Sequence, residues 1–242
     1  MPRKNLKLGL IGYGKMGRLI EAIALKRGHE ISAISSSSKG PLKECLNKAD
    51  ILIDFSEPGS VLQHAEACAI AKKPLVIGTT GWDHLDAVKA LADKHQTAIL
   101  FSPNFSIGML LFKKLVKEAA RLFSPYEQYD IGGFEIHHNL KADAPSGTAI
   151  ALTDAILSEW PRKKEAQFSL PEDKISPEML HFTSLRVGSN PGTHEVVIDS
   201  PEDCITLTHA AKSREGFALG AVVAAEWIDG KKGYFTMEDL LK

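Results

Sequence analysis

The chain has 242 residues, 44% hydrophobic and 24% charged, an ordinary globular composition with room for one large domain or two small ones. A formal net charge of -1 leaves no global field to draw it to nucleic acid or to a membrane surface. The three cysteines, Cys45, Cys68 and Cys204, are isolated and odd in number; they imply neither a disulfide framework nor a zinc site, and fit reduced thiols in a cytoplasmic protein.

The basic start, Met1-Pro2-Arg3-Lys4-Asn5, leads into a strand-like run without a signal-peptide core, and no apolar stretch is long enough to span a bilayer. Residues 6–11 form a short apolar run, which predicts a buried strand. Gly12-Tyr13-Gly14-Lys15-Met16-Gly17 follows, and residues 18–27 then place Leu19, Ile20, Ile23 and Ala24 at helical spacing before Gly28 stops the helix. Residues 30–35 predict a second strand. A Gly-x-Gly-x-x-Gly run alone is a weak signal; between a strand and a helix, with a second strand after it, it is a specific one. Glycines there permit a tight turn and the close approach of a pyrophosphate, which rests on the helix N-terminus. Gly12, Tyr13, Gly14, Lys15, Met16 and Gly17 are therefore candidate cofactor-binding residues.

The end of the second strand bears on which cofactor. NAD-preferring sites place a carboxylate there for the ribose 2′-OH. This chain has Ser35-Ser36-Ser37-Ser38-Lys39-Gly40 instead. Ser35, Ser36, Ser37 and Lys39 supply hydroxyls and an ammonium and nothing that repels a 2′-phosphate, which favours NADPH and leaves NADH open; the competing reading is a solvated serine-rich loop. The alternation continues with strands over 51–55, 75–77 and 98–101 and helices to about residue 72 and over 84–95, a parallel doubly wound sheet. Ligands in such sheets lie beyond the carboxyl ends of strands. Gly78, Thr79 and Thr80 follow one such end, and Ser102, Pro103, Asn104 and Phe105 follow another, so both groups are candidates for the nicotinamide end of the cofactor.

The second half changes character. Residues 109–123 predict a long amphipathic helix, and residues 129–137 an alternating strand. That strand runs into Phe134-Glu135-Ile136-His137-His138-Asn139-Leu140-Lys141-Ala142-Asp143-Ala144-Pro145-Ser146-Gly147-Thr148-Ala149, and a helix follows over 149–160. Two imidazoles and an ammonium leave one strand end, a few residues from a helix N-terminus whose N–H groups and partial positive charge attract anions. That set suits a small, multiply negative substrate that needs a proton. Glu135 and Asp143 read either as orienting groups or as plain surface carboxylates, and Cys68 and Cys204 as core. Residues 161–179 read as a polar excursion or lid. Three strands over 181–187, 194–199 and 205–210 then make, with the earlier strand, an antiparallel or mixed sheet with helices on one face, an α+β unit. Their apolar alternation exceeds what one helix layer covers, which motivates assembly through this sheet. A helix from about 215 to 227 and a short one over 237–241, capped by Thr236, return to the first domain. The expected division is a dinucleotide-binding domain of residues 1–106 completed by 213–242, and a substrate-binding and tetramerisation domain of residues 107–212.

The run Glu-Ile-His-His-x-x-Lys-x-Asp-Ala-Pro-Ser-Gly-Thr-Ala resembles the signature of the 4-hydroxy-tetrahydrodipicolinate (dihydrodipicolinate) reductases. The likeness extends in order through the glycine loop, Ile53-Asp54-Phe55-Ser56, residues 76–82, Asn104-Phe105-Ser106-Ile107-Gly108, Arg186-Val187-Gly188 with Gly192-Thr193-His194, and Ser213-Arg214 with Phe217-Ala218. The resemblance implies a cytoplasmic homotetramer acting on a small dicarboxylate with no nucleic-acid, membrane or metal partner. It also implies NAD(P)H-dependent reduction of 4-hydroxy-tetrahydrodipicolinate in lysine biosynthesis. By position, His137 matches the family's proton donor/acceptor and Lys141 its proton donor, while His138, Ser146, Gly147 and Thr148 match its substrate-binding segment. The chain departs in lacking an insertion that many members carry between the second and third strands, and its serine run replaces the acidic residue of dual-specificity members. Two rivals are weaker. A phosphorylating semialdehyde dehydrogenase needs an activated cysteine, and none of the three sits at a strand end or helix start. A nucleotide-binding redox sensor has no use for His137 and Lys141.

Overall fold

The computed structural model of the protein describes residues 5–170 and 174–242; residues 1–4 and 171–173, the latter inside the expected excursion, lie outside the described residues. The chain divides into two compact units, Met1–Ile107 with Arg214–Lys242, and Gly108–Ser213.

The first unit is a six-stranded sheet of β1 (Lys7–Ile11), β2 (Glu30–Ser35), β3 (Ile51–Asp54), β4 (Leu75–Ile77), β5 (Ala98–Phe101) and β11 (Gly233–Phe235), in the order β11-β5-β4-β3-β1-β2. Every pairing is parallel. Parallel strands covered on both faces must be apolar throughout, and Ile51, Leu52, Ile53, Leu75, Val76, Ile77, Ala98, Ile99 and Leu100 are all buried. Each such Leu or Ile withdrawn from water contributes roughly 1.5–3 kcal/mol. The helices are α1 (Lys15–Lys26), α2 (Leu42–Lys48), α3 (Val61–Ile70), α4 (Leu85–His95) and α7 (Glu215–Ile228). Helix α7 brings the C-terminal segment back through Glu226, which accepts hydrogen bonds from Arg27 Nε at 2.8 Å and Nη2 at 2.7 Å and lies 2.7 Å from His29 Nε2. Sequence pattern did not announce α2 or β11. At seven and three residues, both are too short to carry a periodicity of their own and are held by their neighbours.

The second unit holds α5 (Ile107–Phe123), β6 (Asp130–His137), α6 (Gly147–Leu157), β7 (Glu165–Gln167), β8 (Met179–Arg186), β9 (Thr193–Asp199) and β10 (Cys204–Ala210). The sheet order is β10-β9-β6-β8-β7. Strands β6, β7 and β8 run parallel, while β9 pairs antiparallel with β6 and β10, so the sheet is mixed. Its core joins Phe112, Val116 and Ala120 of α5 and Leu152 and Ile156 of α6 to Ile131, Leu180, Phe182, Val196 and Ile198.

Two expectations need correction here. The polar segment read as an excursion contains a strand, β7, which adds to the open edge of β8. Cys204 is exposed rather than core. It opens the edge strand β10 on the face it shares with Thr206 and Thr208, while Ile205 and Leu207 turn toward the core.

Candidate active site

The glycine loop joins β1 to α1. Gly12 has φ +87°, a region open to glycine and rarely to other residues, and a Cβ there would lie 2.3 Å from the Phe55 carbonyl oxygen. The turn is therefore tight because β3 passes directly beneath it. Gly14 is the N-cap of α1 and offers no side chain to cap it; no acidic residue occupies the first turn. Nothing stands within 4 Å of where a Gly14 Cβ would be. An uncapped helix N-terminus facing open space, with no acidic residue in its first turn, fits a dinucleotide pyrophosphate.

At the end of β2, Ser36 and Gly40 close the serine loop through a backbone bond of 3.2 Å, and Ser38 N–H lies 3.4 Å from Ser36 Oγ. Two cations flank Tyr13 beside this loop: Arg18 Cζ is 5.0 Å and Lys39 Nζ 5.4 Å from its ring centroid. The Tyr13 hydroxyl donates to Glu21. Arg18 directly follows Gly17 and falls outside the Gly-x-Gly-x-x-Gly spacing that singled out the other cofactor-binding candidates.

The other two strand ends are built differently. Thr79 is buried, and its hydroxyl donates to Asp54 Oδ1 at 3.2 Å; Asp54 is fully buried, also accepts Ser56 N–H at 2.9 Å, and lies 2.8 Å from His64 Nδ1. Ser102 Oγ donates to the Asn104 carbonyl at 2.7 Å, and Asn104 Oδ1 accepts Ser106 N–H at 2.8 Å. Phe105 is 2% exposed with its ring 5.7 Å from Phe55. Thr79, Ser102 and Phe105 thus shape these loops from within, whereas Gly78, Thr80, Pro103 and Asn104 are open to solvent to differing degrees.

In the second unit, His137 ends β6 and the chain turns at once. The turn is clamped against the loop after β8: Val187 N–H donates to the His137 carbonyl at 2.9 Å, His138 N–H to Asn190 O at 2.8 Å and Asn139 N–H to Gly188 O at 3.2 Å. Lys141 N–H then donates to the His138 carbonyl at 3.1 Å, and Lys141 Nζ pairs with both Asp143 oxygens at 2.8 and 2.9 Å. That ammonium holds the Asp143 carboxyl below its ordinary value. Ser146 caps α6, its Oγ accepting Ala149 N–H at 3.1 Å, which places Gly147 and Thr148 in the first turn. One strand end, one clamped turn and one cap therefore carry His137, His138, Lys141 and the first turn of α6 in succession.

Behind them sits a fully buried carboxylate, Glu135. Its Oε1 accepts Ser146 N–H at 2.9 Å, Ser184 Oγ at 2.7 Å and Arg186 Nη2 at 3.0 Å. Its Oε2 accepts the Ser146 hydroxyl and lies 3.2 Å from His137 Nδ1 and 3.5 Å from His194 Nε2. Burial alone pushes this carboxyl up, but hydrogen bonds from His194, Ser146 and Ser184 outweigh burial and hold it well below the usual carboxylate range. Burial is also the main cause that pushes His137 down to about 4; Glu135 opposes the shift, and His194, Lys141 and Arg186 add to it. Of Glu135 and Asp143, the first is an internal hub and the second an exposed partner of Lys141. Glu135, His137 and His194 lie close enough to share a cation. However, the Arg186 guanidinium already neutralises that carboxylate, and the donor set fits a protein-internal network better than a metal.

A glycine-loop Rossmann unit followed by a mixed-sheet unit with a His-His-Lys turn defines a nicotinamide-dependent two-domain reductase. Two family profiles, described as dihydrodipicolinate reductase N-terminus and C-terminus, match residues 6–105 and 108–241. The chain belongs to the dihydrodipicolinate reductase family and is an oxidoreductase. It is 38% identical to the 4-hydroxy-tetrahydrodipicolinate reductase of Christiangramia forsetii, covering 98% of both chains. It is 35% identical to the same enzyme from Caldanaerobacter subterraneus subsp. tengcongensis, covering 95% of both. The fold is similar to that of dipicolinate-bound dihydrodipicolinate reductase from Paenisporosarcina sp. TG-14, with a TM-score of 0.80 and 23% identity over 98% of this chain and 100% of that one. Among the described residues, no helix is long and apolar enough to cross a membrane.

Proposed function

We propose that the protein reduces (2S,4S)-4-hydroxy-2,3,4,5-tetrahydrodipicolinate to (S)-2,3,4,5-tetrahydrodipicolinate and water with NADPH as the preferred reductant, in the diaminopimelate route to lysine. The observation that carries this reading is the succession of His137, His138 and Lys141 along one clamped turn that ends at the capped N-terminus of α6, within twelve residues of chain, with Glu135 bonded to the Ser146 cap and 3.2 Å from His137. The nicotinamide, when bound, supplies the hydride. Lys141 Nζ supplies the proton that the reduced ring takes up, and a substrate carboxylate competes with Asp143 for the same ammonium. First-turn N–H groups at Gly147 and Thr148 hold a carboxylate without adding a titrating group. His138, with its Nδ1 buried and without a hydrogen-bond partner among the described residues, offers a further contact to the dicarboxylate. His137, its pKa pushed down to about 4 by burial, is a neutral imidazole at pH 7 and offers one ring nitrogen as an acceptor.

The cofactor runs from the pyrophosphate cradle of Gly12, Tyr13, Gly14, Lys15, Met16 and Gly17 to Gly78, Thr79, Thr80, Ser102, Pro103, Asn104 and Phe105. The 2′-phosphate is assigned to Ser35, Ser36, Ser37 and Lys39, with Arg18 beside them; the cations at the Tyr13 ring and the lack of an acidic residue in the run 35–40 support this. Assembly as a cytoplasmic homotetramer through the mixed sheet is supported by its outer face. There Phe134, Ile136 and Val197 are half-buried and Leu185 is 53% exposed. The free cysteines agree with a reducing compartment. Mixing the enzyme with the substrate and following NADPH oxidation tests the function: stoichiometric turnover is expected, and no oxidation above background overturns it. Light scattering that finds a monomer near 26.4 kDa at micromolar concentration overturns the tetramer.

A further inference from the structure

We propose that Glu135 is a positioning residue that chooses the tautomer of His137 and, with the same carboxylate, fixes the N-terminus of α6 in register with it. This rests on the reading of the site given above and deepens it. His137 Nδ1 lies 3.2 Å from Glu135 Oε2, but the pair is not aligned for a good hydrogen bond, so charge and burial hold it rather than directionality. A lone pair on Nδ1 facing a carboxylate at that distance is repulsive, and a proton there is attracted. The neutral ring therefore carries its hydrogen on Nδ1 and presents the Nε2 lone pair. Nε2 faces Gly192: a Cβ on that buried glycine, which has φ +144°, would sit 3.0 Å away. The side of the ring left unhindered is thus the side left with the lone pair.

The same carboxylate also takes the backbone N–H and the hydroxyl of Ser146, the cap of α6. One charge therefore ties the imidazole to the helix whose first turn faces the substrate. Ser184 and Arg186 of β8 anchor that charge from one side and His194 of β9 from another, and its aliphatic stem issues from β6. Among the described residues, the charged or titratable groups paired with Glu135 are Arg186, His137 and His194, with Lys141 acting on His137 from the turn. The His194 ring packs against His137 in a T-shaped pair with 5.2 Å between centroids.

The test is nitrogen NMR of histidine-labelled full-length enzyme, with the His137 signal assigned by its loss in His137→Gln. In the wild type the neutral His137 ring should be protonated on Nδ1; finding it protonated on Nε2 overturns the proposal, and this measurement requires no variant of Glu135 to fold. In Glu135→Gln the tautomer preference should vanish and kcat should fall by about 10²-fold, as expected when a reacting group loses its orientation. The acid limb of the kcat/KM profile should move to lower pH, because the anion that raises the His137 pKa is gone. NADPH affinity should not change. Ser184→Ala removes one hydrogen bond but no charge, and should leave tautomer and acid limb as in the wild type. A folded Glu135→Gln with the wild-type tautomer and kcat within twofold overturns the proposal, as does a Ser184→Ala that reproduces the Glu135→Gln profile. A wild-type enzyme that turns over no dicarboxylate would instead overturn the function, and the spectrum would still report on the tautomer.

Discussion

The two candidate sites are built by opposite means. The cofactor cradle is made of absence: Gly12 lets β3 pass at contact distance, and Gly14 leaves the helix end uncapped with nothing within 4 Å of its missing Cβ. The substrate site is made of buried charge: Glu135 is fully enclosed and holds partners from β6, β8, β9 and α6. A backbone cradle binds any dinucleotide phosphate, since N–H groups and a helix end carry little chemical identity. A charge hub fixes side chains to a fraction of an ångström, which the choice of proton position requires. In the proposed reaction one region acts through its backbone and the other through side chains held in fixed positions.

The largest expected effect separates those two roles. Lys141→Met keeps the apolar stem and removes the charge; His137→Gln keeps a hydrogen-bonding head that does not titrate. Each should lower kcat by roughly 10²–10⁴-fold, while NADPH binding followed by fluorescence stays at the wild-type value, because the glycine cradle belongs to the other unit. If Lys141→Met turns over normally, the ammonium is a surface charge paired with Asp143 and nothing more. A rise confined to KM would assign Lys141 to binding instead.

Acid should break the charged region first. The folded-state pKa of His137 lies at about 4, below its ordinary 6.5, so between those values the unfolded chain binds more protons and stability falls as pH falls. A displacement of that size is worth about 3 kcal/mol at most. Glu135, also held below its ordinary value of 4.5, contributes stability that is present above that pH and lost below it. Urea titrations at pH 7.0, 5.5, 4.5 and 3.5 should show the loss beginning near pH 6.5 and continuing below pH 4.5. His137→Gln should remove the upper part of the decline and keep the lower. A wild-type midpoint unchanged from pH 7.0 to 4.5 would contradict this account of the site.

The glycine cradle offers a sharper contrast within itself. Gly12→Ala forces φ +87° on an alanine and drives its Cβ toward the Phe55 carbonyl, so the unit should lose more than the ~1–3 kcal/mol of ordinary backbone strain and NADPH binding with it. Gly14→Ala has φ -81° and open space around it, so thermal stability should hold. NADPH affinity should nevertheless fall about tenfold, ~1.4 kcal/mol, because the new methyl enters the volume of the ligand. Equal affinity in Gly14→Ala and wild type would place the pyrophosphate elsewhere.

These contrasts also explain what was legible in the sequence. Gly12, Gly14 and Gly17 could be read because local backbone requirements write themselves at fixed spacing. The apolar β3 to β5 could be read because a strand covered on both faces shows no alternation. His137, His138 and Lys141 could be read because they are adjacent in the chain. The hub could not. Ser184, Arg186 and His194 reach Glu135 only through the registers Glu135↔Ser184, His137↔Arg186 and Glu135↔His194, which pair strands about fifty residues apart or more. Nothing local separates such a glutamate from a solvent-facing one, and it read equally well as either. Cys204 failed for a related reason, since alternation in an edge strand gives a face but not which face is covered.

The smallest effect tests where the cradle acquires selectivity. Ser36 lies at the end of β2 in a loop beside Lys39 and Tyr13, with Arg18 on the far side of the same ring. A carboxylate introduced there by Ser36→Glu would face a 2′-phosphate across a few ångströms of solvent, where like charges repel by only about 1 kcal/mol. It would also gain a hydrogen bond to a free 2′-OH. The ratio of kcat/KM for NADPH to that for NADH should therefore fall by roughly tenfold, with the effect shrinking at high salt because the site is exposed. kcat with saturating cofactor should stay constant, since the substituted residue is assigned to the adenosine end of the cofactor and His137 and Lys141 belong to the other unit. An unchanged ratio at low salt would mean that the serines are a solvated loop and that Arg18 alone receives the phosphate.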